Sequence, residues 1–148
     1  MLIEHRVQIA APAAYVFDCL NDVDRLPQWM DGLQRTEIPA SFDPANPVGG
    51  SYQQHMVQFG YPLRYTVTVT RFESARAVDL NLDSRYFMLD IHYSLLENAP
   101  DLTELHCRAE ISRTDWSVRV LQQLIADKML HVLRLQMEAF RQMVEKGV

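Results

Sequence analysis

Histidine is the residue type best suited to acid–base chemistry near neutral pH, and this sequence contains five. His92, His106 and His131 each fall on the polar side of the strand or helix that contains them, which predicts a solvated position. No two of these three have the spacing of zinc ligands, so no metal site is expected. His5 differs, because it alternates in phase with the apolar residues of its strand and is expected to point inward. It is either a hydrogen-bonded core histidine or a candidate acid–base group.

The sequence carries no recognisable motif for nucleophilic, metal or phosphate chemistry. Gly49-Gly50 lacks the Lys and Ser/Thr that follow the glycines of a phosphate-binding loop. Neither a GxSxG nucleophile elbow nor an HExxH zinc motif occurs. We therefore expect no cofactor, and any catalysis would depend on one or two placed polar groups.

Two glutamines are candidates for such a role. Gln122 and Gln136 fall inside the apolar arc of the predicted C-terminal helix. An amide buried there without a partner would cost about 1–3 kcal/mol. Each glutamine therefore either bonds to the sheet, to water or to solvent at a helix end, or faces a cavity and orients a ligand.

The remaining candidates are apolar or aromatic and would line a cavity between the sheet and the helix. Trp29 has two interpretations: it closes the core beneath a short helix, or it stands at the cavity mouth and contacts a ligand. The apolar faces of strands and helix exceed what a thin two-layer core needs. The predicted lining consists of Tyr65, Val67, Tyr93, Leu105, Ile125 and Met129.

These residues must be positioned by an α+β arrangement. Residues 3–9 alternate as a strand, and two short helices follow through Trp29. About six short strands then follow, joined by tight turns, which is typical of an antiparallel meander. One amphipathic helix is predicted from about Ser117 to Lys146, with Asp115 as its N-cap. The pattern predicts a single domain over residues 1–148.

Composition narrows the function further. The chain has 148 residues and a net charge of −5. Nucleic-acid binding is disfavoured, because phosphate recognition needs a basic face. No apolar stretch is long enough to insert across a bilayer, and two distant cysteines do not make a disulfide scaffold, so the expected location is the cytoplasm.

The order of these elements resembles the START-like helix-grip (SRPBCC) superfamily, and more narrowly its polyketide cyclase/dehydratase and lipid-transport group. The resemblance covers nearly the whole chain. It is carried by the closing helix and by Ala11-Pro12-Ala13-Ala14, Val16-Phe17, Asp22-Val23-Asp24, Leu26-Pro27-Gln28-Trp29-Met30 and Val48-Gly49-Gly50. It implies a curved antiparallel sheet that grips the long C-terminal helix around an internal cavity.

The resemblance implies a fold and leaves the activity open. The chain could bind a lipid-like or aromatic molecule without turnover. It could instead be a cyclase or aromatase whose cavity supplies shape and a few polar groups. A third hypothesis is a protein-interaction module, which an exposed apolar patch would favour. The oligomeric state is not specified by the sequence.

Overall fold

The structure is a computed structural model that describes residues 2–148. Within these residues the chain forms seven β-strands, four α-helices and one short 3-10 helix. The strands are β1 (Leu2–Ile9), β2 (Leu33–Glu37), β3 (Ser51–Gln58), β4 (Tyr61–Glu73), β5 (Ala77–Asp83), β6 (Phe87–Ala99) and β7 (Leu102–Thr114). The helices are α1 (Ala13–Asn21), α2 (Leu26–Trp29), α3 (Trp116–Arg119) and α4 (Gln122–Lys146), with the 3-10 turn at Val23–Arg25.

All seven strands form one antiparallel sheet in the order β1-β7-β6-β5-β4-β3-β2. Strands β2 to β7 follow one another as a meander, as the turn spacing predicts. The first strand pairs with the last, so that His5 lies opposite Cys107. The curved antiparallel sheet, the short helices after β1 and the long C-terminal helix confirm the predicted α+β helix-grip class.

The inner face of the sheet follows the period-two alternation of the sequence. In β4, Tyr65, Val67 and Val69 are buried, whereas the threonines between them are not. In β7, every second residue from Thr103 to Ile111 is buried. Helix α4 packs across β1 and against α2, so its apolar stripe covers this inner face.

The short helices before β2 also follow their sequence signals. The Asp24 backbone N–H donates to the Asp22 side chain at 3.0 Å, which caps the 3-10 turn. Pro27 lies in the first turn of α2, where its missing N–H costs no helical hydrogen bond. Both features agree with the known preferences of these residue types.

The C-terminal helix departs from the prediction of one continuous helix over residues 117–146. It is divided into α3 and α4, because the Leu121 N–H bonds to the Val118 carbonyl three residues back, at 2.9 Å. Val118 and Val120 are β-branched and disfavour a helix, and Val120 is 89% exposed, so no packing offsets that preference.

No helix in the described part of the chain is long and apolar enough to cross a membrane.

The second half of α4 should carry most of its stability. Phe140 is fully buried and its ring lies edge-to-face on Trp29, with ring centroids 5.1 Å apart. We expect Phe140→Ala to lower the free energy of unfolding by about 3–5 kcal/mol, because it removes a large buried ring and leaves a cavity. Urea denaturation measures this change.

Leu135→Ala is the matched control in the same helix, since Leu135 is 59% exposed. That change should stay within about 0.5 kcal/mol. Equal losses at the two positions would contradict the assigned burial of α4.

Candidate functional site

Two cavities lie on the inner face of the sheet. The larger has a volume of about 150 Å³. Its floor comes from the middle strands, through Val67, Val69, Val78, Leu80, Ile91 and Tyr93. Its opposite wall comes from α2 and from the irregular segment between β2 and β3, through Trp29, Met30, Phe42, Pro44 and Pro47. The larger cavity therefore lies between the sheet and the short helices.

The smaller cavity has a volume of about 60 Å³ and lies beneath α4. The helix contributes Met129, Val132, Leu133 and Gln136 to its wall, and the sheet contributes Met56, Gln58, Tyr65 and Leu89. Its lining is also mostly apolar, so both cavities suit apolar groups.

Two buried polar side chains line the larger cavity, and one of them has no hydrogen-bond partner among the described residues. Trp29 is 3% exposed, and its indole N–H makes no hydrogen bond within residues 2–148. Gln54 is also 3% exposed, and its side chain lines both cavities. Buried polar groups are normally hydrogen-bonded, so the unpartnered indole N–H of Trp29 is an exception among the described residues.

Sequence reasoning missed Gln54, although a signal for it exists. Strand β3 reads SYQQHMVQ, and its polar residues obscure the alternation. Tyr52, Gln54, Met56 and Gln58 share one face and all line a cavity. The phase set by Tyr52 and Met56 would have placed the glutamine between them on the inner face.

The tyrosines of the site are neutral phenols. Burial raises the pKa of Tyr52 to about 12 and raises the pKa of Tyr93 well above its ordinary value. The Tyr65 hydroxyl donates to the Gln58 side-chain oxygen at 2.6 Å, and burial raises the pKa of this phenol too. Within residues 2–148, no Asp, Glu, His, Lys or Arg lines either cavity.

Six of the ten residues predicted for the site do line a cavity. Tyr93 lines both, Trp29 and Val67 line the larger one, and Tyr65, Met129 and Gln136 line the smaller one. Trp29 packs on Phe140 in the core, which agrees with the first of its two interpretations, and it also lines the larger cavity.

The other four lie outside both cavities. Leu105 is fully buried in solid packing between β1 and β6, opposite Val7 and Leu95. Ile125 and Gln122 belong to the first turn of α4. Their expected positions assumed one continuous helix, and the helix break before Gln122 makes that assumption wrong. His5 is half-buried on β1, the strand against which α4 packs. There the hydrogen bond and charge of Arg141 lower the pKa of the exposed Glu138 carboxyl, and the charge of His5 adds a smaller effect.

The remaining histidines lie on the polar phase of their elements. His131 is exposed. His92 and His106 are paired with carboxylates across neighbouring strands, His92 with Asp79 at 3.1 Å and His106 with Glu4 at 2.9 Å. In the described part of the chain, no group of three or more His, Cys, Asp or Glu side chains is arranged to hold a metal ion.

Comparison with known proteins agrees with this architecture. Residues 2–145 match the family model described as polyketide cyclase / dehydrase and lipid transport. We found no match among the curated protein sequences.

Several solved structures share the fold. A START superfamily protein from Mycobacterium smegmatis has a TM-score of 0.84 at 17% identity, over 99% of each chain. The Zhui aromatase/cyclase from Streptomyces has a TM-score of 0.81 at 14% identity, over 99% of this chain and 94% of that one. A protein from Thermus thermophilus has a TM-score of 0.82 at 11% identity, over 99% of each chain. At these identities the likeness establishes the fold alone.

The burial of Gln54 makes a prediction about stability. Gln54→Leu should leave the free energy of unfolding unchanged or raise it, because leucine costs less than an amide to bury against the mostly apolar lining of the two cavities. Thermal or urea denaturation in the absence of ligand measures this change.

Gln58→Leu on the same strand is the matched control. It should lower the free energy of unfolding by about 1–2 kcal/mol, because the Tyr65 hydroxyl loses its acceptor. If Gln54→Leu is the more damaging change, Gln54 has a structural partner and the assignment fails.

Proposed function

The chain belongs to the polyketide cyclase / dehydrase and lipid transport family, and on that basis we propose that it binds a small, neutral, mostly apolar molecule in the larger cavity. The observation that carries this proposal is the composition of the cavity wall. It is apolar apart from a few uncharged polar groups, and one of these groups, the buried Trp29 N–H, has no hydrogen-bond partner among the described residues. An apolar cavity with few placed polar groups is the usual form of a small-molecule site.

The size of the cavity supports a ligand about as large as one ring. A cavity of about 150 Å³ lined by aliphatic and aromatic side chains is known to hold benzene. The larger cavity has this volume and a similar lining. A molecule of several fused rings would require the wall to move.

The charge of the site supports a neutral ligand. With no charged side chain on the wall in residues 2–148, a carboxylate or ammonium ligand would lose its hydration without gaining a counter-ion. The phenols of Tyr52 and Tyr93 stay protonated, since burial raises the pKa of both. Hydrogen bonding to a carbonyl, ether or hydroxyl is the polar recognition that these groups can provide.

The same observations favour binding without turnover over cyclase chemistry. Proton transfer from carbon needs a positioned base whose pKa lies near the working pH, and His, Asp and Glu are the usual choices. The wall formed by residues 2–148 offers amides, an indole and neutral phenols instead. Native mass spectrometry of the purified protein would reveal a co-purified molecule, and its turnover by the protein would favour the enzyme alternative.

Three single-ring probes of similar shape test the proposal. Acetophenone carries a neutral acceptor, ethylbenzene carries none, and benzoate is charged. We expect acetophenone to bind at least about tenfold more tightly than benzoate, because the wall cannot compensate a buried carboxylate. Calorimetry gives the affinities, and the fluorescence of Trp29 reports the site once Trp116, which is exposed, is changed by Trp116→Phe.

The acceptor preference should depend on Trp29. Acetophenone should bind more tightly than ethylbenzene, and Trp29→Phe should reduce that preference, because it removes one of the donors available to the ketone. Trp116→Phe is the matched control and should leave the preference intact. Tight binding of benzoate, or no binding of any of the three probes, would refute a neutral apolar site.

The affinity for acetophenone should not change between about pH 6 and about pH 9. A phenol is protonated below its pKa, and the pKa of Tyr52 is raised to about 12 and that of Tyr93 well above its usual value. Ionisation of the wall therefore begins only in strongly alkaline solution. A titration midpoint near neutral pH would show that a histidine or carboxylate controls the site.

A further inference from the structure

The two cavities are neighbours with a common boundary. Five residues line both of them: Met30, Gln54, Leu82, Ile91 and Tyr93. A boundary with so many shared residues is thin, so whether the cavities are separate depends on which of these side chains lies between them.

Met30 is the shared residue that lies opposite the sheet. The other four belong to β3, β5 and β6 and form the floor, whereas Met30 directly follows α2. Its backbone is held on both sides, since its N–H donates to the Leu26 carbonyl at 2.8 Å and its carbonyl accepts from the Leu33 N–H at 3.2 Å. Its unbranched side chain has three rotatable bonds and adapts readily to a different packing.

From this arrangement we infer that the two cavities are lobes of one binding site, divided by the Met30 side chain, and that the ligand is a ring with a short alkyl tail. This inference rests on the proposed function, because the ring occupies the larger cavity. The tail passes Met30 and enters the smaller cavity beneath α4.

The volume of the smaller lobe limits the size of the tail that it can hold. At about 60 Å³ it is well below the volume of about 150 Å³ that is known to hold a benzene ring, yet it has room for a few methylenes. Its far wall is the apolar stripe of Met129, Val132 and Leu133. A second ring is therefore excluded, and a short saturated chain is accepted.

Gln54 lies at the junction between ring and tail. It is buried and lines both lobes. A neutral polar group between the ring and the tail, such as a ketone, would lie where this amide can donate to it. An aryl alkyl ketone thus has a ring for the larger lobe, a carbonyl for the junction and a tail for the smaller lobe.

Two ketones that differ only in tail length test the inference. Butyrophenone has two more methylenes than acetophenone. Each methylene that leaves water for an apolar cavity tightens binding roughly fourfold, so butyrophenone should bind on the order of tenfold more tightly. Calorimetry on the whole protein gives the ratio of the two dissociation constants.

Two variants close the smaller lobe from opposite sides. Met30→Phe puts a bulkier, stiffer group at the partition, and Met129→Phe fills the lobe from α4. Both should reduce the ratio to less than about twofold, since the tail loses its place. The measured quantity is the ratio of the two dissociation constants within each variant, so a general loss of affinity cancels. If Met30→Phe does not fold, Met129→Phe still tests the inference. Met88→Phe is the matched control, because Met88 is half-buried and lines neither cavity, and it should keep the wild-type ratio.

The outcomes separate this inference from the proposed function. A wild-type ratio near one with acetophenone still bound would overturn the joined site and leave the proposed function standing. A ratio that stays near ten in both Met30→Phe and Met129→Phe would also overturn it, because the tail would then lie elsewhere. If neither ketone binds the wild-type protein, both proposals fail together.

Discussion

The packing of Phe140 against Trp29 is the contact on which the rest of the site depends. It joins α4 to α2, and α2 carries the wall of the larger cavity that faces the sheet. The end of α4 is held separately, because the Glu145 carboxylate accepts from the Ala10 N–H at 3.0 Å and from Arg141 at 2.7 Å. Because α4 is fixed at its end and at Phe140, α2 and Met30 are held at a defined distance from the sheet. The cavity is the space left beneath them.

The same residues illustrate the conflict between stability and binding. Core groups are usually packed to the density of organic crystals, and buried polar groups are usually paired. Here Trp29 stabilises the core through its ring while its N–H stays unpartnered in the described structure. Gln54 places an amide at an inner-face position of β3 where most of the neighbouring lining is apolar. Departures of this kind from optimal packing are what the proposed ligand site would require.

The sequence predicted what local patterns determine. The alternation in β4 and β7, the Asp22 cap and the buried stripe at Leu133, Met137 and Phe140 are all visible from residue types and spacing. The lining of the site was only partly predictable, because it depends on strand register and on the segment between β2 and β3, whose contacts are long-range. Leu105 and Val67 are both inward-facing residues of long strands, yet only Val67 lies under the gap left by α2. The helix break at Val120 was missed because an apolar residue fits a helical wheel whether or not anything packs on it.

The pairing of β1 with β7 has a consequence for the order in which the molecule assembles. Leu2 lies opposite Glu110, so the sheet cannot gain its first strand until more than a hundred residues have been synthesised. Closing so long a loop is entropically expensive, and contacts of this range slow folding. During synthesis the strands from β2 to β6 can pair with their neighbours in sequence. Until β7 is available, β1 stays unpaired, with apolar residues on one side. The N-terminal strand is thus the segment most in need of protection from aggregation on the ribosome, although in the finished protein it is one edge of a sheet that α4 covers.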